Sequence, residues 1–334
     1  MGKCKVMSLN TVIIEVNARL HLTLIGMNNE GYRINGGVGF AVKNPSLRLR
    51  FSRSREFILE DIRRFPFLEN EILRIIKIVE QEKNLIKARY NIRVEITGEM
   101  PTHFGFGSSS ATRLACLEAL YLLNNKKPER ERLVFSSGRG GTSGIGINAY
   151  FEGGLIIDLG RRGQEFFSCP SQLSEKRKSM PLMMQRIETP DWEIGICIPN
   201  NIPHKTEKEE ADFFKKTCPV SSSAVYKTLY HVIYGLYSAV RENDKKTFCL
   251  ALQSIQRCAW KLAERKQYGK NLFRIEQKLY KCGAEAVGMS SLGPSLFFLA
   301  KDVKAVIEKM KTKMVDCTLI ATKPANSGRN IIYV

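Results

Sequence analysis

No stretch of this 334-residue sequence holds the roughly 20 consecutive apolar residues that a helix needs to cross a bilayer. The first twenty residues also lack the apolar core of a secretion signal, because Cys4, Asn10, Glu15 and Asn17 interrupt them. These two absences predict a protein without a membrane span that works in the cytoplasm.

Paired cysteines are missing as well. The nine cysteines are odd in number, are widely spaced and include no CxxC pair. This pattern argues against a disulfide framework and against a structural zinc site. We therefore expect small, buried thiols in a reducing compartment.

Acidic residues are scarce relative to basic ones. The sequence has 33 Asp and Glu against 52 Lys and Arg, which gives a net charge of +19. Such a charge attracts either nucleic acid or small polyanions such as diphosphates. The sequence contains no zinc finger, no RNP aromatic pair and no KH-type GXXG loop, so we favour phosphorylated small substrates and leave nonspecific RNA binding as an alternative.

Hydrophobic periodicity predicts an α+β chain with strands and helices interspersed. A polar stretch at 161–191, punctuated by Pro170, Pro181 and Pro190, predicts a boundary that divides the chain into domains 1–187 and 188–334. Glycine-rich Gly31–Gly39 is interpreted as a turn. Strands are expected over 12–25, 40–42, 47–51, 92–96, 153–158 and 193–198, and helices over 68–80, 109–123, 222–240, 245–265, 271–282 and 303–313.

The strongest local signal is PTHFGFGSSSA at 101–111, between a predicted strand and a predicted helix. Glycines let the backbone approach an anion, and the N–H groups and partial positive charge of a helix start attract it. The alternative without a ligand is a serine-capped helix after a flexible turn. We interpret Gly105, Gly107, Ser108, Ser109 and Ser110 as a loop that binds a diphosphate or triphosphate.

Four basic side chains are candidates for the same anion. In the first strand Arg19 and His21 share one face, opposite Leu20, Leu22 and Leu24, although an open sheet face would explain them equally well. Arg139 lies among glycines, where bidentate phosphate or carboxylate binding suits it. His103 precedes the loop and is a candidate for diphosphate binding or proton transfer.

An acidic run, Glu207, Glu209, Glu210 and Asp212, follows His204 and Lys205. We interpret these carboxylates as the solvated first turn of a helix, where the helix dipole favours them.

The loop resembles the phosphate loop of the GHMP kinases, PxxxGLGSSAA, and Gly288–Pro294 resembles the third glycine-rich motif of that superfamily. Many of these kinases place an aspartate in an SGxD motif that acts on the substrate hydroxyl. Here the matching position is Gly146, which can neither accept a proton nor orient a hydroxyl.

GRGGTSGIG at 138–146 resembles β-ribofuranosylaminobenzene 5′-phosphate synthases more specifically. ARLH at 18–21, RINGGVG at 33–39, PTHFGFG at 101–107 and SSLGP at 290–294 match the same family in order along nearly the whole chain. Three positions depart from its pattern: Asn35 replaces an aspartate, GFGSSSAT replaces GLGSGTQ, and Leu292 replaces a tryptophan.

The resemblance implies transfer of ribose 5-phosphate from phosphoribosyl diphosphate to 4-aminobenzoate or 4-hydroxybenzoate. Carbon dioxide and diphosphate leave, in a step of methanopterin-type cofactor biosynthesis. It also implies Mg²⁺, with unknown ligands, a homodimer, and a GHMP fold whose first domain resembles ribosomal protein S5 domain 2 and whose second is ferredoxin-like.

Together the motifs assign catalysis to Arg19, His21, His103 and Arg139. They assign substrate binding to Asn35, Gly36, Gly37, Gly141, Thr142, Ser143, Ser290, Ser291 and Gly293. Two alternatives stay open: a GHMP small-molecule kinase, and a basic nucleic-acid-binding protein without catalysis.

Overall fold

The computed structural model describes residues 10–162, 180–313 and 316–334. Cys4, Cys169 and Pro170, which entered the sequence predictions, lie outside these residues. Two mixed layers of strands and helices are present within them, and the α+β prediction is confirmed.

The first sheet is built around two long antiparallel strands, β1 and β2. Its central order is β12-β1-β2-β4-β3, with β5 and β6 also paired to β2 and β7 paired to β5. Only the β3–β4 pair is parallel among the described pairings. The strands are β1 (Thr11–Gly26), β2 (Arg33–Ser54), β3 (Ile58–Asp61), β4 (Asn91–Gly98), β5 (Leu155–Asp158), β6 (Arg161–Arg162), β7 (Met183–Ile187) and β12 (Asn330–Tyr333).

The second sheet is antiparallel with the order β11-β8-β10-β9. Its strands are β8 (Ile194–Pro199), β9 (Ala284–Met289), β10 (Leu296–Ala300) and β11 (Cys317–Thr322). Helices connect β8 to β9 and β10 to β11, so the chain follows the split βαββαβ path of ferredoxin-like domains.

The helices pack against these sheets. Those of the first half are α1 (Glu69–Leu85), α2 (Ser108–Leu123), α3 (Arg130–Ser137) and α4 (Ile145–Glu152). Those of the second half are α5 (Glu207–Thr217), α6 (Ser222–Tyr230), a π-helical segment (His231–Tyr237), α7 (Ser238–Glu242), α8 (Lys245–Ile255), α9 (Ala259–Lys266), α10 (Gly269–Cys282) and α11 (Val303–Thr312). The single helices predicted over 222–240 and 245–265 are therefore each divided.

The predicted turn at Gly31–Gly39 is wrong from Arg33 onward, because this segment begins strand β2. The glycines serve close packing within the sheet. A Cβ atom on Gly36 would lie 2.4 Å from the Asp158 carbonyl oxygen, and the φ of Gly36 is 88°. Gly36 can adopt this left-handed backbone conformation, and the close contact, because glycine carries no side chain.

One continuous core joins the two sheets. Phe40 of β2 packs edge-to-face on Phe297 of β10, with ring centroids 6.0 Å apart, and on Phe248 of α8 at 6.4 Å. The chain passes from the first sheet to the second between Ile187 and Ile194, and β12 then returns to the first sheet beside β1. The division into domains 1–187 and 188–334 stays a prediction.

In the described ranges, no helix is both long and apolar enough to span a bilayer. The seven cysteines of those ranges are free thiols, five of them buried.

Candidate active site

The predicted anion loop leads directly into helix α2. Gly107 is the N-cap residue of the helix, with a left-handed φ of 84°, and it provides no side-chain cap hydrogen bond to the first turn. The serine-capped alternative is therefore not what the structure shows. The first turn of α2 presents these donors to the adjacent cleft, an arrangement that suits an anion.

Strand β1 holds the loop from one side. The Arg19 backbone N–H donates to the Phe106 carbonyl (3.0 Å), and Arg19 Nη1 donates to the Gly105 carbonyl (2.6 Å). Burial lowers the pKa of Arg19 to about 10, partly offset by Glu264 and Glu210. Arg19 thus stays cationic at neutral pH and sits against the loop.

A bulge in β1 changes which side chains face the cleft. His21 pairs with Gly39 and Thr23 with Val38, so Leu22 is the extra residue. An extra residue reverses the alternation of a strand beyond it. Leu24 therefore lies on the cleft wall with Arg19 and His21, and its predicted place on the opposite face is wrong.

His21 is buried and neutral. Burial, together with Arg19 and Lys261, lowers its pKa well below the usual value. Its Nε2 lies 3.2 Å from the Ser143 hydroxyl, and glycine at position 37 leaves room for the ring, since a Cβ there would lie 2.9 Å from Nε2. His21 therefore acts as a neutral hydrogen-bonding group, not as a second cation.

Arg139 reaches the loop from the GRGG segment. Its Nε donates to the Ser110 hydroxyl (2.7 Å), and burial, reinforced by Arg19, lowers its pKa to about 10. Arg113, one turn into α2, is buried nearby with a pKa of about 9, lowered by burial and by Arg139. Three arginines are thus concentrated around the start of α2.

His103 is held by a carboxylate that the sequence analysis did not single out. Its Nε2 lies 2.7 Å from an oxygen of Glu71, a buried residue of α1, and its ring stacks on His204 with centroids 5.1 Å apart. Burial is the largest single effect and lowers the pKa of His103, but the hydrogen bond and charge of Glu71, together with the charges of Glu210 and Glu207, outweigh it and raise the pKa. The pair favours a protonated His103 beside the anion loop.

The turn after β9 closes the site. The Ser290 hydroxyl donates to the Gly105 carbonyl (2.7 Å) and accepts from the His21 N–H (3.0 Å). The Ser291 N–H donates to the His21 carbonyl (2.8 Å). These bonds fasten the second sheet to both β1 and the anion loop.

The structure brings most of the predicted site residues together around one cleft. On its wall lie Arg19, His21, His103, Gly105, Gly107, Ser108, Ser109, Ser110, Arg139, Thr142, Ser143, Ser291 and Gly293. Behind the wall lie Asn35, Gly36, Gly37, Gly141 and Ser290. The second group supports the wall: the Gly36 N–H, for example, donates to the Thr142 carbonyl (3.0 Å).

Two acidic residues on the wall were missed. Glu210 of α5 faces the cleft, and burial raises its pKa to about 7 against the opposing effect of His103 and Arg139. The solvated interpretation is wrong for this residue, although Glu209 is exposed and completes a capping box with Thr206. Glu264 of α9 is the second acidic residue, and Phe214, Leu24 and Leu292 form an apolar part of the wall.

Gly146, which the sequence comparison matched to the kinase aspartate, lies at the start of α4. A Cβ atom there would lie 3.5 Å from the Ser110 hydroxyl and 3.9 Å from Arg19 Nε. The position therefore faces the cationic part of the cleft and carries no carboxylate.

Together with the solvent at its mouth, the cleft encloses about 990 Å³ of empty space. One side offers arginines and helix N–H groups to an anion, and the other combines an apolar surface with Glu210. In the described ranges, no group of three or more His, Cys, Asp or Glu is arranged to hold a metal ion.

Comparison with known families places this cleft in context. The model of the GHMP kinase N-terminal domain matches residues 70–152, which include the anion loop. Among solved structures, Leishmania major mevalonate kinase, bound to R-mevalonate, has a TM-score of 0.66 at 16% identity and covers 98% of this chain and 100% of its own. Homoserine kinase from Cytophaga hutchinsonii has a TM-score of 0.65 at 16% identity and covers 99% of both chains. These similarities confirm the predicted GHMP kinase fold.

Curated relatives are more similar in sequence. The β-ribofuranosylphenol 5′-phosphate synthase of Archaeoglobus fulgidus is 31% identical over 94% of this chain and 97% of its own. The protein of the same name from Methanocaldococcus jannaschii is 28% identical over 96% of this chain and 100% of its own. The family predicted from GRGGTSGIG and its companion motifs is thereby confirmed: this chain belongs to the β-ribofuranosylphenol 5′-phosphate synthase family, built on the GHMP kinase fold.

Proposed function

We propose that this enzyme transfers ribose 5-phosphate from phosphoribosyl diphosphate to 4-hydroxybenzoate, with loss of carbon dioxide and diphosphate, in a methanopterin-type pathway. The observation that carries the proposal is the two-sided cleft. On one side the anion-binding loop lies beside arginine side chains, and on the other side lies an apolar wall. The relatives are named for a ribosyl phenol, which supports 4-hydroxybenzoate over 4-aminobenzoate as the acceptor.

The reaction needs charge stabilisation at the leaving group. As the bond from the sugar to the diphosphate breaks, negative charge grows on the diphosphate oxygens and positive charge grows on the sugar. Arg19, Arg139 and the first-turn N–H groups of α2 lie where they would stabilise that negative charge. Protonated His103 adds a fourth donor at the entrance of the loop.

Magnesium is part of this proposal. Mg²⁺ is commonly held by substrate phosphates and few protein groups. The half-buried Ser109 hydroxyl on the cleft wall is the protein group that fits such a shared site. When bound, the ion would neutralise charge on the departing diphosphate.

A GHMP kinase activity is not favoured. The residue that the sequence comparison matched to the kinase aspartate is Gly146, which lies beside Arg19 and Ser110 and has no carboxylate. Non-catalytic nucleic-acid binding is also less well supported, because Arg19 and Arg139 line one cleft and do not extend along an open surface.

The test is direct. Purified protein is incubated with Mg²⁺, phosphoribosyl diphosphate and either 4-hydroxybenzoate or 4-aminobenzoate, and diphosphate and carbon dioxide are measured. Equal amounts of both products are expected with at least one acid. Acceptor-dependent conversion of ATP to ADP, or tight salt-dependent RNA binding, without diphosphate release would contradict the proposal. Light scattering would test the homodimer that the family resemblance implies, and cell fractionation would test a cytoplasmic location.

A further inference from the structure

The apolar part of the cleft wall is a built surface. Leu24, Phe214 and Leu292 belong to one buried cluster with Phe213 and Trp260. Leu24 is 5% exposed, Phe214 4% and Leu292 9%, so their positions are fixed by packing. A rigid apolar surface beside an anion site suits an aromatic ring that must be held against a phosphorylated sugar.

Glu210 lies one helical turn before Phe214 on α5. Residues four apart share a helix face, so the carboxylate and the Phe214 ring border the same part of the cleft. A polar substituent on a ring that lies against Phe214 can therefore reach the part of the cleft next to the Glu210 carboxylate.

Helix α5 is held firmly in this orientation. A capping box between Thr206 and Glu209 fixes its first turn, and Glu207 forms a two-bond ion pair with Arg74 of α1. Phe214 packs on Trp260 with ring centroids 5.0 Å apart. Glu210 is thus carried by a helix that is tied to both halves of the molecule.

The other carboxylate of the wall has a structural task. Glu264 accepts hydrogen bonds from Trp260 Nε1 (2.9 Å) and from Lys261 Nζ (2.7 Å). Lys261 Nζ also donates to the Ser291 carbonyl (2.7 Å). Both Glu264 oxygens therefore support this turn, and Glu210 is the wall carboxylate that shares a helix face with Phe214.

We propose, on the basis of the proposed function, that Glu210 is the general base that removes the proton from the 4-hydroxyl group of the bound 4-hydroxybenzoate, whose ring lies against Phe214 and Leu292. The O–H bond breaks and the proton moves to the Glu210 carboxylate. The phenolate then donates electron density to the ring carbon that bears the carboxylate.

That carbon forms the new bond to the anomeric carbon of the sugar while the bond to diphosphate breaks, and the electron pair leaves with diphosphate. The bond from the ring to the carboxylate breaks next, and its electron pair restores the aromatic ring as carbon dioxide leaves. Glu210 returns its proton to the phenolate oxygen. Electrons and protons balance without an oxidant or reductant.

The charges around Glu210 are compatible with this task. A general base works best with a pKa near the working pH, and burial raises the pKa of Glu210 to about 7. Among the described residues, the titratable and charged groups that interact with it include Arg19, His103, Arg139, Glu207, Glu264 and Tyr268.

The test compares Glu210→Gln with Asp212→Asn, which makes the same change at an exposed residue of the same helix. A phenol must lose its proton to become a strong donor, whereas the neutral amine of 4-aminobenzoate already has its lone pair. With 4-hydroxybenzoate, turnover of Glu210→Gln should fall ~10²–10⁴-fold at pH 7 and recover as the pH rises. With 4-aminobenzoate the loss in Glu210→Gln should be much smaller than with 4-hydroxybenzoate, whereas Asp212→Asn should change turnover by less than about threefold with either acid.

The wild-type enzyme supplies an independent measurement if the variant does not fold. Its turnover with 4-hydroxybenzoate should rise with pH through about 7. With 3,5-difluoro-4-hydroxybenzoate, which is a more acidic phenol, that rise in turnover should shift to lower pH. The same compound replaces 4-aminobenzoate in the comparison if the enzyme does not use 4-aminobenzoate. An identical pH profile for both phenols overturns the inference.

Failure of the inference and failure of the function give different results. A wild-type enzyme that releases no diphosphate with any benzoate contradicts the proposed function. An active wild type with a Glu210→Gln variant that is unchanged, or equally impaired with every acceptor, contradicts only the role of Glu210. If Glu210→Gln needs more Mg²⁺ than the wild type, equally with every acceptor, Glu210 is a metal ligand, and its role as general base is also overturned.

Discussion

A carboxylate at position 146 is expected to impair diphosphate binding without creating a kinase. The Cβ of Gly146→Asp would lie 3.9 Å from Arg19 Nε and 3.5 Å from the Ser110 hydroxyl, so the new acid reaches the cations of the anion site. A hydrogen bond to a charged group contributes about 1.5–3 kcal/mol. Diverting Arg19 from the diphosphate should therefore raise the Kd for diphosphate about 10- to 150-fold.

Size and charge can be separated at this position. A contact of 3.5 Å is ordinary van der Waals contact, and position 146 is helical, so Gly146→Ala should fold and gain up to about 1 kcal/mol of stability. Gly146→Asn adds the bulk of aspartate without its charge. Both controls should bind diphosphate far better than Gly146→Asp.

Calorimetry with diphosphate, steady-state release of diphosphate and melting temperature are the assays. The reasoning is refuted if Gly146→Asp and Gly146→Asn bind diphosphate equally well. It is also refuted if Gly146→Asp gains acceptor-dependent ADP formation, since that would mean the glycine is the single feature that separates this site from a kinase.

Three further predictions concern the support of the site. Arg139→Ala and Ser109→Ala should each lower turnover ~10²–10³-fold with unchanged circular dichroism, and Arg139→Lys should recover only part of it because an ammonium cannot make a bidentate contact; normal turnover in both alanine variants would place the site elsewhere. Glu71→Gln removes the group that raises the pKa of His103, so the loss of activity at alkaline pH should begin at lower pH, and an unmoved profile would show that His103 is not the titrating group. Glu82→Gln disrupts a buried carboxylate that accepts hydrogen bonds from a tyrosine, an arginine and a serine. The free energy of unfolding, measured with denaturant, should fall by about 3 kcal/mol, while KM stays unchanged. Burial alone would raise the pKa of Glu82, but the hydrogen bonds together outweigh it and lower the pKa, so the stability that Glu82 contributes should be present above about pH 4.5 and lost below it.

Local patterns predicted which residues line one side of the cleft. The loop before Ser108 and the alternation that aligns Arg19 with His21 each depend on neighbours in sequence. Backbone conformation and strand period are properties of short segments, so they can be recognised without knowledge of the rest of the fold.

The opposite side depends on contacts between distant segments. Glu210 lies in an acidic run typical of a solvated helix start, and only the placement of α5 over the cleft distinguishes it from Glu209. Lys261 and Glu264 have the spacing of an ordinary surface ion pair, yet both are buried. The bulge at Leu22 is likewise invisible in the sequence, because it depends on the register with β2.

The position of β12 beside β1 has a consequence for synthesis of the enzyme. Asn330 of β12 pairs with Glu15 of β1, a separation of 315 residues. A nascent chain on the ribosome therefore exposes one edge of β1 until the second sheet has been translated. Contacts of such long range form slowly, and an open strand edge invites wrong pairing. Because β12 can cover that edge only after translation has passed it, the strand that carries Arg19 gains its second neighbour last.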